Sequence, residues 1–343
     1  MSKWQLELKH TIKTFSELFK LLNLDVDLTL FNNNNLNSEI YNLKFPLLVT
    51  KSFVNRIKPN DINDPLLLQL LPNIDFLINP NLNLKNFNNY VKDPLQEKAF
   101  NYIPGLIHKY HGRVLLLSNK SCAIHCRYCF RQNFPYTHNI ASGNNLKQII
   151  NYINNDNSIE EVILSGGDPL LAPNKYFKKL LNTLENIPHL TTIRLHSRVP
   201  IVLPSRLEKD LINIFSKSRL KIVLVIHSNH PNEINTEVAK YFNKINKNKI
   251  ILLNQSVLLK NINDNPVTLA KLSKKLFDLK VLPYYLHILD PVIGAEHFEV
   301  NLQQAKKIYT ELAAILPGYL LPKLVIEKPG AKNKILIAGN SHV

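Results

Sequence analysis

Short apolar runs rich in β-branched residues recur through the second two-thirds of the chain. Polar stretches of helical length separate them. The six runs cover residues 113–117, 162–164, 192–195, 222–226, 250–253 and 281–286. Strands that alternate with helices predict an α/β fold, in which helices cover the outer side of a parallel sheet. The periodicity leaves open whether this sheet is an open barrel or a flat doubly wound sheet. Both folds place the active site at the carboxyl ends of the strands.

The region before these runs has a different pattern. Apolar residues at spacings of three and four between residues 4 and 22 predict one amphipathic helix. Asn and Pro then interrupt the chain up to about residue 105, with an exposed turn predicted at 32–35 and a helix start at Asp64-Pro65. We therefore expect an N-terminal helical cap over residues 1–105, a core over 106–316 and a short C-terminal segment over 317–343.

Composition narrows the class of protein. A chain of 343 residues with 45% hydrophobic residues can bury a sizeable core. Charges throughout the first residues, and no window of eighteen apolar residues, predict a cytoplasmic protein without a membrane partner. The net charge of +16 attracts phosphates in general, but Lys is scattered among Asn and Ile without an Arg-rich or aromatic stripe. Nucleic acid is therefore not the expected partner.

All three cysteines lie within eight positions, directly after the first predicted strand, as Cys122, Cys126 and Cys129. Iron–sulfur clusters usually take four cysteine ligands, so three would leave one iron with an open position. An open position is typical of a catalytic metal site. A zinc site with His125 as fourth ligand is disfavoured because the sequence has no second two-ligand knuckle. A disulfide does not suit the odd number of thiols.

A glycine pair follows the second predicted strand, in Ser165-Gly166-Gly167-Asp168-Pro169. Because the whole chain has only nine glycines, a pair at a strand end suggests backbone that approaches a ligand closely. Asp168 could then accept from an amine or a hydroxyl. The same residues also form an ordinary turn sequence, so both interpretations stay open.

The three cysteines with Tyr128 before the last of them, followed by the Gly-Gly-Asp strand end, resemble the radical S-adenosylmethionine superfamily. More narrowly, the chain resembles the lysine 2,3-aminomutase family, and within it the enzymes of elongation factor P β-lysylation. The matching stretches are residues 113–117, 126–131, 165–169, 196–206, 230–234, 254–259, 284–290 and 294–298.

This resemblance implies a partial (β/α)6 radical SAM barrel. It implies a [4Fe-4S] cluster on the three cysteines, S-adenosylmethionine on the open iron, and pyridoxal 5′-phosphate as a second coenzyme. The reaction would convert L-lysine to β-lysine by migration of the nitrogen from C2 to C3. It further implies an electron donor such as flavodoxin or ferredoxin and a functional link to an elongation factor P lysyl ligase. A basic Fe–S or zinc protein that binds RNA or modifies tRNA is the alternative, and it predicts clustered positive charge, stacking aromatics or a further cluster.

The resemblance also implies which residues bind the coenzymes. Lys334 matches the catalytic lysine that forms the Schiff base with pyridoxal phosphate. This sequence departs from the family by having only one glycine in the preceding loop and by carrying a second candidate lysine, Lys332. Arg113 matches a position near the coenzyme phosphate. The remaining expected cofactor-binding residues are Ser165, Gly166, Gly167 and Asp168.

The substrate residues follow from the same resemblance. Arg131 matches the arginine that holds the substrate carboxylate, a task suited to a planar bidentate donor. Asp290 and Glu327 match two acidic positions that receive the ε-ammonium, and they favour lysine over glutamate because like charges are costly in a desolvated pocket. Glu327 replaces the Asp common in enzymes that act on free lysine. The sequence ends nine residues after Lys334. We therefore expect it to resemble the family members of elongation factor P β-lysylation more than those of lysine breakdown. Residues left without a fixed role are Arg198, His230, Asn254 and Gln255.

Overall fold

The computed structural model describes residues 1–28, 45–73, 89–136, 139–245 and 249–337. Its main element is a nine-stranded sheet whose strands follow one another in chain order. Strands β2 to β8 are parallel, and β1 and β9 are antiparallel edges. The strands are β1 (Leu106–Tyr110), β2 (Arg113–Asn119), β3 (Glu161–Gly166), β4 (Thr192–Ser197), β5 (Lys221–His227), β6 (Ile250–Val257), β7 (Leu282–His287), β8 (Lys323–Ile326) and β9 (Ile335–Leu336).

All six predicted strands are confirmed, as β2 to β7. The sequence did not predict the two edge pairings or β8, a seventh parallel strand. Strands β8 and β9 have only four and two residues, too few for an alternation of apolar and polar positions to stand out.

The N-terminal region contains short helices: α1 (Lys3–Lys9), α2 (Phe15–Leu21), α3 (Lys51–Val54) and α4 (Pro65–Leu68). The prediction of one helix over residues 4–22 is therefore wrong. Between α1 and α2, Ile12 forms a β-bridge with Val49, so its backbone groups are used outside any helix. The predicted start at Asp64-Pro65 is confirmed, because the Asp64 side chain caps α4. The turn predicted at 32–35 lies outside the described residues.

Helices on the outside of the sheet connect the parallel strands. They are α5 (Gly143–Asn155), α6 (Asn174–Leu184), α7 (Val199–Val202), α8 (Lys209–Ser216), α9 (Thr236–Ile245), α10 (Pro266–Asp278) and α11 (Leu302–Ile315). Each longer helix buries one apolar stripe against the strands; in α6 the stripe includes Phe177, Leu181 and Leu184. No helix in the described ranges is long and apolar enough to cross a membrane.

Buried apolar side chains continue across the expected region boundaries. One cluster extends from Trp4 in α1 to Val281 before β7, and it includes side chains on both sides of residue 105. A second cluster joins α10 and α11 to β7 and β8, across residue 316. Both boundaries stay predictions.

The sheet curves into an open barrel. Inward-facing side chains of β2 to β8 line one cavity. Within the described residues the edge strands β1 and β9 do not pair with each other. Instead, Lys109 and Tyr110 of β1 reach Glu327, which follows β8, with Nζ–Oε1 and OH–Oε1 distances of 3.4 and 3.1 Å. Side chains therefore join the two edges where a backbone ladder is missing, and the architecture is the expected partial barrel.

Candidate active site

A cavity of about 620 Å³ follows the inner face of the barrel to the loops at the carboxyl ends of the strands. Such a volume is typical of sites for small molecules and cofactors. Of the residues without a fixed role, Arg198 and Gln255 line the cavity, whereas His230 and Asn254 do not. Lys332, the second candidate for the coenzyme lysine, does not line it either. The cavity lining includes every predicted site residue: Arg113, Cys122, Cys126, Cys129, Arg131, Ser165, Gly166, Gly167, Asp168, Asp290, Glu327 and Lys334.

The cysteine loop follows β2 and is fixed to the N-terminal region by backbone hydrogen bonds. The amide of His125 donates to the carbonyl of Leu48 at 2.8 Å, and that of Arg127 donates to the carbonyl of Gln69 at 3.1 Å. The three thiols are half-buried and form no disulfide. The N-terminal region therefore supports the candidate metal site directly.

The three thiols form a donor set suited to iron. Burial raises the pKa of Cys122, and repulsion from the other two cysteines adds to this rise. Burial, together with Cys126, raises the pKa of Cys129 to about 12. Three thiolates this close together need positive charge to stay ionised, and an iron–sulfur cluster provides it. In the described part of the chain, no three His, Cys, Asp or Glu side chains are grouped to hold a single metal ion. In a cluster, each thiolate binds a different iron.

Arg198, at the end of β4, places a buried cation against the cysteine loop. Its Nη1 donates to Cys126 Sγ. Its Nη2 donates to Gln69 Oε1 at 2.6 Å and approaches Glu233 Oε2 at 3.4 Å. The guanidinium also lies over the Tyr128 ring, 5.5 Å from its centroid. These contacts bind Arg198 to the loop.

The glycine pair approaches the protein's own backbone. A Cβ on Gly166, where φ is +119°, would lie 2.5 Å from the carbonyl oxygen of Asn119. A Cβ on Gly167 would lie 2.5 Å from that of Ser121. The Gly167 amide donates to the Asn119 carbonyl at 2.7 Å. The close approach that the sequence suggested is therefore explained by the start of the cysteine loop, although both glycines also line the cavity.

Asp168 uses its whole carboxylate inside the protein. Oδ1 accepts from the Ser197 hydroxyl at 2.6 Å and the Leu170 amide at 3.1 Å. Oδ2 accepts from the amides of Arg198 and Val199 at 2.8 and 3.0 Å. A carboxylate has about four acceptor positions, and all four are occupied. Through these contacts Asp168 joins the loops after β3 and β4, and its expected contact with a ligand stays a prediction.

Arg131 is held by two neighbours. Its Nε and Nη2 each donate to Glu97 at 2.7 Å, and its Nη1 donates to Ser165 Oγ at 2.8 Å. Burial by itself would lower the pKa of Arg131, but the pairing with Glu97 raises it. The sequence analysis missed Glu97, because a single acidic residue in a region without clear periodicity gives no local signal.

Lys334 and Glu327 form an ion pair on the cavity wall. The other oxygen of Glu327 accepts from Lys109 and Tyr110. Burial alone would raise the pKa of Glu327, but Lys334 and Lys109 lower it to about 2. Lys332 is exposed, so of the two candidate lysines only Lys334 faces the cavity.

Asp290 lines the same part of the cavity but has no hydrogen bond or ion pair through its carboxylate within the described residues. Burial, followed by repulsion from Glu327, raises its pKa to about 7. The neighbouring carboxylates therefore differ, because Glu327 already accepts from three donors whereas the Asp290 carboxylate accepts from none in the described residues and is open to a cationic ligand.

The cavity wall also has donors suited to an anion. Arg113, at the start of β2, lies over the Tyr110 ring at 4.9 Å and has no hydrogen bond or ion pair in the described ranges. On β4, Arg194 pairs with Glu161 at 2.7 Å, but its buried Nε has no partner there. Unsatisfied guanidinium donors fit a phosphate group.

Three histidines on the cavity wall were also missed by the sequence analysis. They are His196 on β4, His227 on β5 and His287 on β7. Burial lowers the pKa of all three, to about 3 for His227 and His287, so they are neutral near pH 7. Nε2 of His196 and of His287 is buried without a partner in the described chain. Each histidine lies one residue beyond the end of a predicted strand, and this place at a carboxyl end was the available signal.

Comparisons with known proteins agree with this site. A family described as a 4Fe-4S single cluster domain matches residues 111–195. The chain is 48% identical to the L-lysine 2,3-aminomutase of Buchnera aphidicola subsp. Baizongia pistaciae, over 97% of this chain and 95% of the relative. It is 42% identical to the enzyme of the same name from Escherichia coli (strain K12), over 96% of this chain and 93% of that enzyme. The chain is 32% identical to the Clostridium subterminale enzyme, over 98% of this chain and 78% of that enzyme.

Among solved structures, a radical SAM methyltransferase from Sphaerobacter thermophilus matches with a TM-score of 0.44 and 15% identity, over 64% of this chain and 68% of that one. The open barrel and the three-cysteine loop at its carboxyl end, which lies in the region matched by the 4Fe-4S domain, define an iron–sulfur protein. Within that class, the identities to its relatives show that the chain belongs to the lysine 2,3-aminomutase family.

Proposed function

We propose that this protein is a lysine 2,3-aminomutase, an isomerase that converts L-lysine to β-lysine. The observation that carries the proposal is one cavity in which the cysteine loop, Arg131 and the Lys334–Glu327 pair all lie. The relatives that share 40–48% of its residues are named for this reaction.

The residues present fit the three cofactors of this reaction. Cys122, Cys126 and Cys129 would hold a [4Fe-4S] cluster, Lys334 would bind pyridoxal phosphate, and Arg113 would face its phosphate. When bound, the cluster with S-adenosylmethionine supplies a radical that abstracts hydrogen, and pyridoxal phosphate supplies a conjugated ring that stabilises the radical as the amine migrates. The protein contributes binding, orientation and charge.

Charges at opposite parts of the cavity would orient lysine. Arg131 would bind the α-carboxylate through its remaining N–H groups, and Asp290 would receive the ε-ammonium. The contacts favour Asp290 as the principal acceptor, because Glu327 already accepts from Lys109, Tyr110 and Lys334. An ammonium beside Asp290 would stabilise its ionised form against the repulsion from Glu327.

We also propose the finer assignments. The electron donor is a one-electron carrier such as flavodoxin or ferredoxin, the product serves an elongation factor P lysyl ligase, and the protein acts in the cytoplasm. These assignments rest on the family resemblance.

An anaerobic assay tests the proposed reaction. Protein reconstituted with iron and sulfide is given L-lysine, S-adenosylmethionine and dithionite, with and without pyridoxal phosphate. We expect β-lysine only with the coenzyme, and none from Lys334→Ala, whereas the exposed Lys332→Ala variant keeps the activity. If β-lysine is absent, or forms undiminished in Lys334→Ala, the proposal fails. Borohydride reduction followed by peptide mass spectrometry should place the coenzyme on Lys334. An RNA-binding Fe–S protein would form no such adduct.

A further inference from the structure

A buried ion pair between Glu97 and Arg131 forms part of the proposed carboxylate site. Glu97 begins a turn, Glu97–Phe100, ahead of β1, and is only 4% exposed. Arg131 lies two residues after Cys129 in the cysteine loop. Both oxygens of Glu97 accept from Arg131, and the residues are 34 positions apart in the chain.

The hydrogen bonds of Arg131 can be counted. An arginine has five N–H donors. Glu97 takes the one on Nε and one on Nη2, and Ser165 takes one on Nη1. One N–H is left on each terminal nitrogen, and two such groups match the two oxygens of a carboxylate.

The support for Glu97 is rigid for a residue outside the barrel. Its amide donates to Asp93 Oδ1 at 3.1 Å. Lys109 of β1 donates to the Leu95 carbonyl at 3.0 Å, which connects this segment to the sheet. Ser165 holds Arg131 from the end of β3. The guanidinium is therefore fixed from two directions before any ligand enters.

We infer that Glu97 is a positioning residue for the substrate carboxylate, an inference that rests on the proposed function. It holds the Nε–Nη2 edge of Arg131, so that the remaining N–H groups are aimed at the carboxylate and no rotamer freedom of Arg131 is lost on binding. It also neutralises a guanidinium that would otherwise be buried without a counter-ion. Glu97 therefore acts on the carboxylate end of the substrate through Arg131.

The test compares L-lysine with 1,5-diaminopentane, which has the same chain and ε-amine but no carboxylate. In fully reconstituted protein, Glu97→Gln should raise the KM for lysine about tenfold and leave kcat within about twofold of the parent. The reason is that the lost contact stabilises the bound substrate and the transition state equally. The Kd for lysine measured by calorimetry should rise equally. The inhibition constant of 1,5-diaminopentane should stay unchanged.

Glu208→Gln is the matched control. It removes the carboxylate that pairs with the buried Arg206, outside the cavity. We expect it to change neither the KM for lysine nor the inhibition constant of 1,5-diaminopentane. Ser165→Ala removes only the Nη1 contact and should raise the KM for lysine about threefold, with the diamine unaffected. If Glu97→Gln does not fold, Ser165→Ala still measures whether fixing Arg131 affects lysine binding.

Two results would overturn the inference: unchanged lysine affinity in both variants, or equal weakening of lysine and the diamine. A parent protein that forms no β-lysine would instead refute the proposed function. Calorimetry would still report whether Glu97 affects carboxylate binding, so the two failures are distinguishable.

Discussion

The two ends of the cavity use polar residues differently. At the cysteine end, the Asp168 carboxylate and the Gly166-Gly167 backbone are occupied by contacts within the protein. The other end, here called the lysine end, contains Lys334. There the side chains of Asp290 and Arg113 form no hydrogen bond or ion pair within the described residues. Saturated groups fix the geometry of a metal-binding loop, whereas unsatisfied charges are available to a ligand. Substitutions at the first end should therefore damage folding and iron binding, and those at the second should damage the binding of substrate or coenzyme.

Gly167→Ala should have the largest effect. The new Cβ would lie 2.5 Å from the backbone oxygen of Ser121, so the cysteine loop must shift. We expect iron content after reconstitution to fall from about four to below about one per chain, and β-lysine formation to be lost. Gly318→Ala is the control, because its Cβ would have no neighbour within 4 Å. Normal iron content in Gly167→Ala would show that the glycine pair does not shape the loop.

Asp168→Asn should destabilise the protein by about 3 kcal/mol, because the Asn oxygen can replace only one of the two carboxylate oxygens and its NH2 group then faces buried N–H donors at the other position. Urea unfolding of cluster-free protein measures this loss. The exposed Asp210→Asn variant should unfold like the parent. Unchanged stability, accompanied by weaker coenzyme binding, would instead assign Asp168 to the ligand.

Asp290→Asn should weaken lysine binding without affecting iron content or stability. Losing the open carboxylate should cost about 2 kcal/mol of binding, or about 30-fold in KM. Steady-state kinetics and iron analysis of the same preparation test both parts. The exposed Asp278→Asn is the control. A larger effect from Glu327→Gln on lysine KM than from Asp290→Asn would contradict the assignment of Asp290 as principal acceptor.

The smallest effect expected is on pH dependence. The pKa of Asp290 is raised to about 7, so below that pH its carboxyl takes up a proton and loses its charge. We expect kcat/KM for lysine to fall as the pH drops below about 7, approaching tenfold per unit. Glu327, whose pKa is lowered to about 2, stays ionised throughout. The acidic limb should disappear in Asp290→Asn, and its persistence would attribute it to another group.

The two ends also differ in how far sequence alone predicts them. The cysteine loop and the strand before it are local features, so spacing and β-branched runs were sufficient. The glycine pair was found at the correct place, but whether it approaches a ligand or backbone depended on the path of the cysteine loop. At the lysine end, the family resemblance assigned Lys334 to the coenzyme and Asp290 and Glu327 to the ε-ammonium, but it did not show that Glu327 already has three donors and Asp290 none.

The sequence by itself determined the six central strands, the start of α4 and the three-cysteine loop, because backbone geometry imposes short-range periods and spacings. Only the tertiary structure decided the partners of charged groups. Arg131 meets Glu97 across 34 positions, and Lys109 meets Glu327 across 218. Such pairings depend on how the sheet curves and brings its edges together. The same curvature sets the burial that raises the pKa of Asp290 and lowers those of the histidines on the cavity wall.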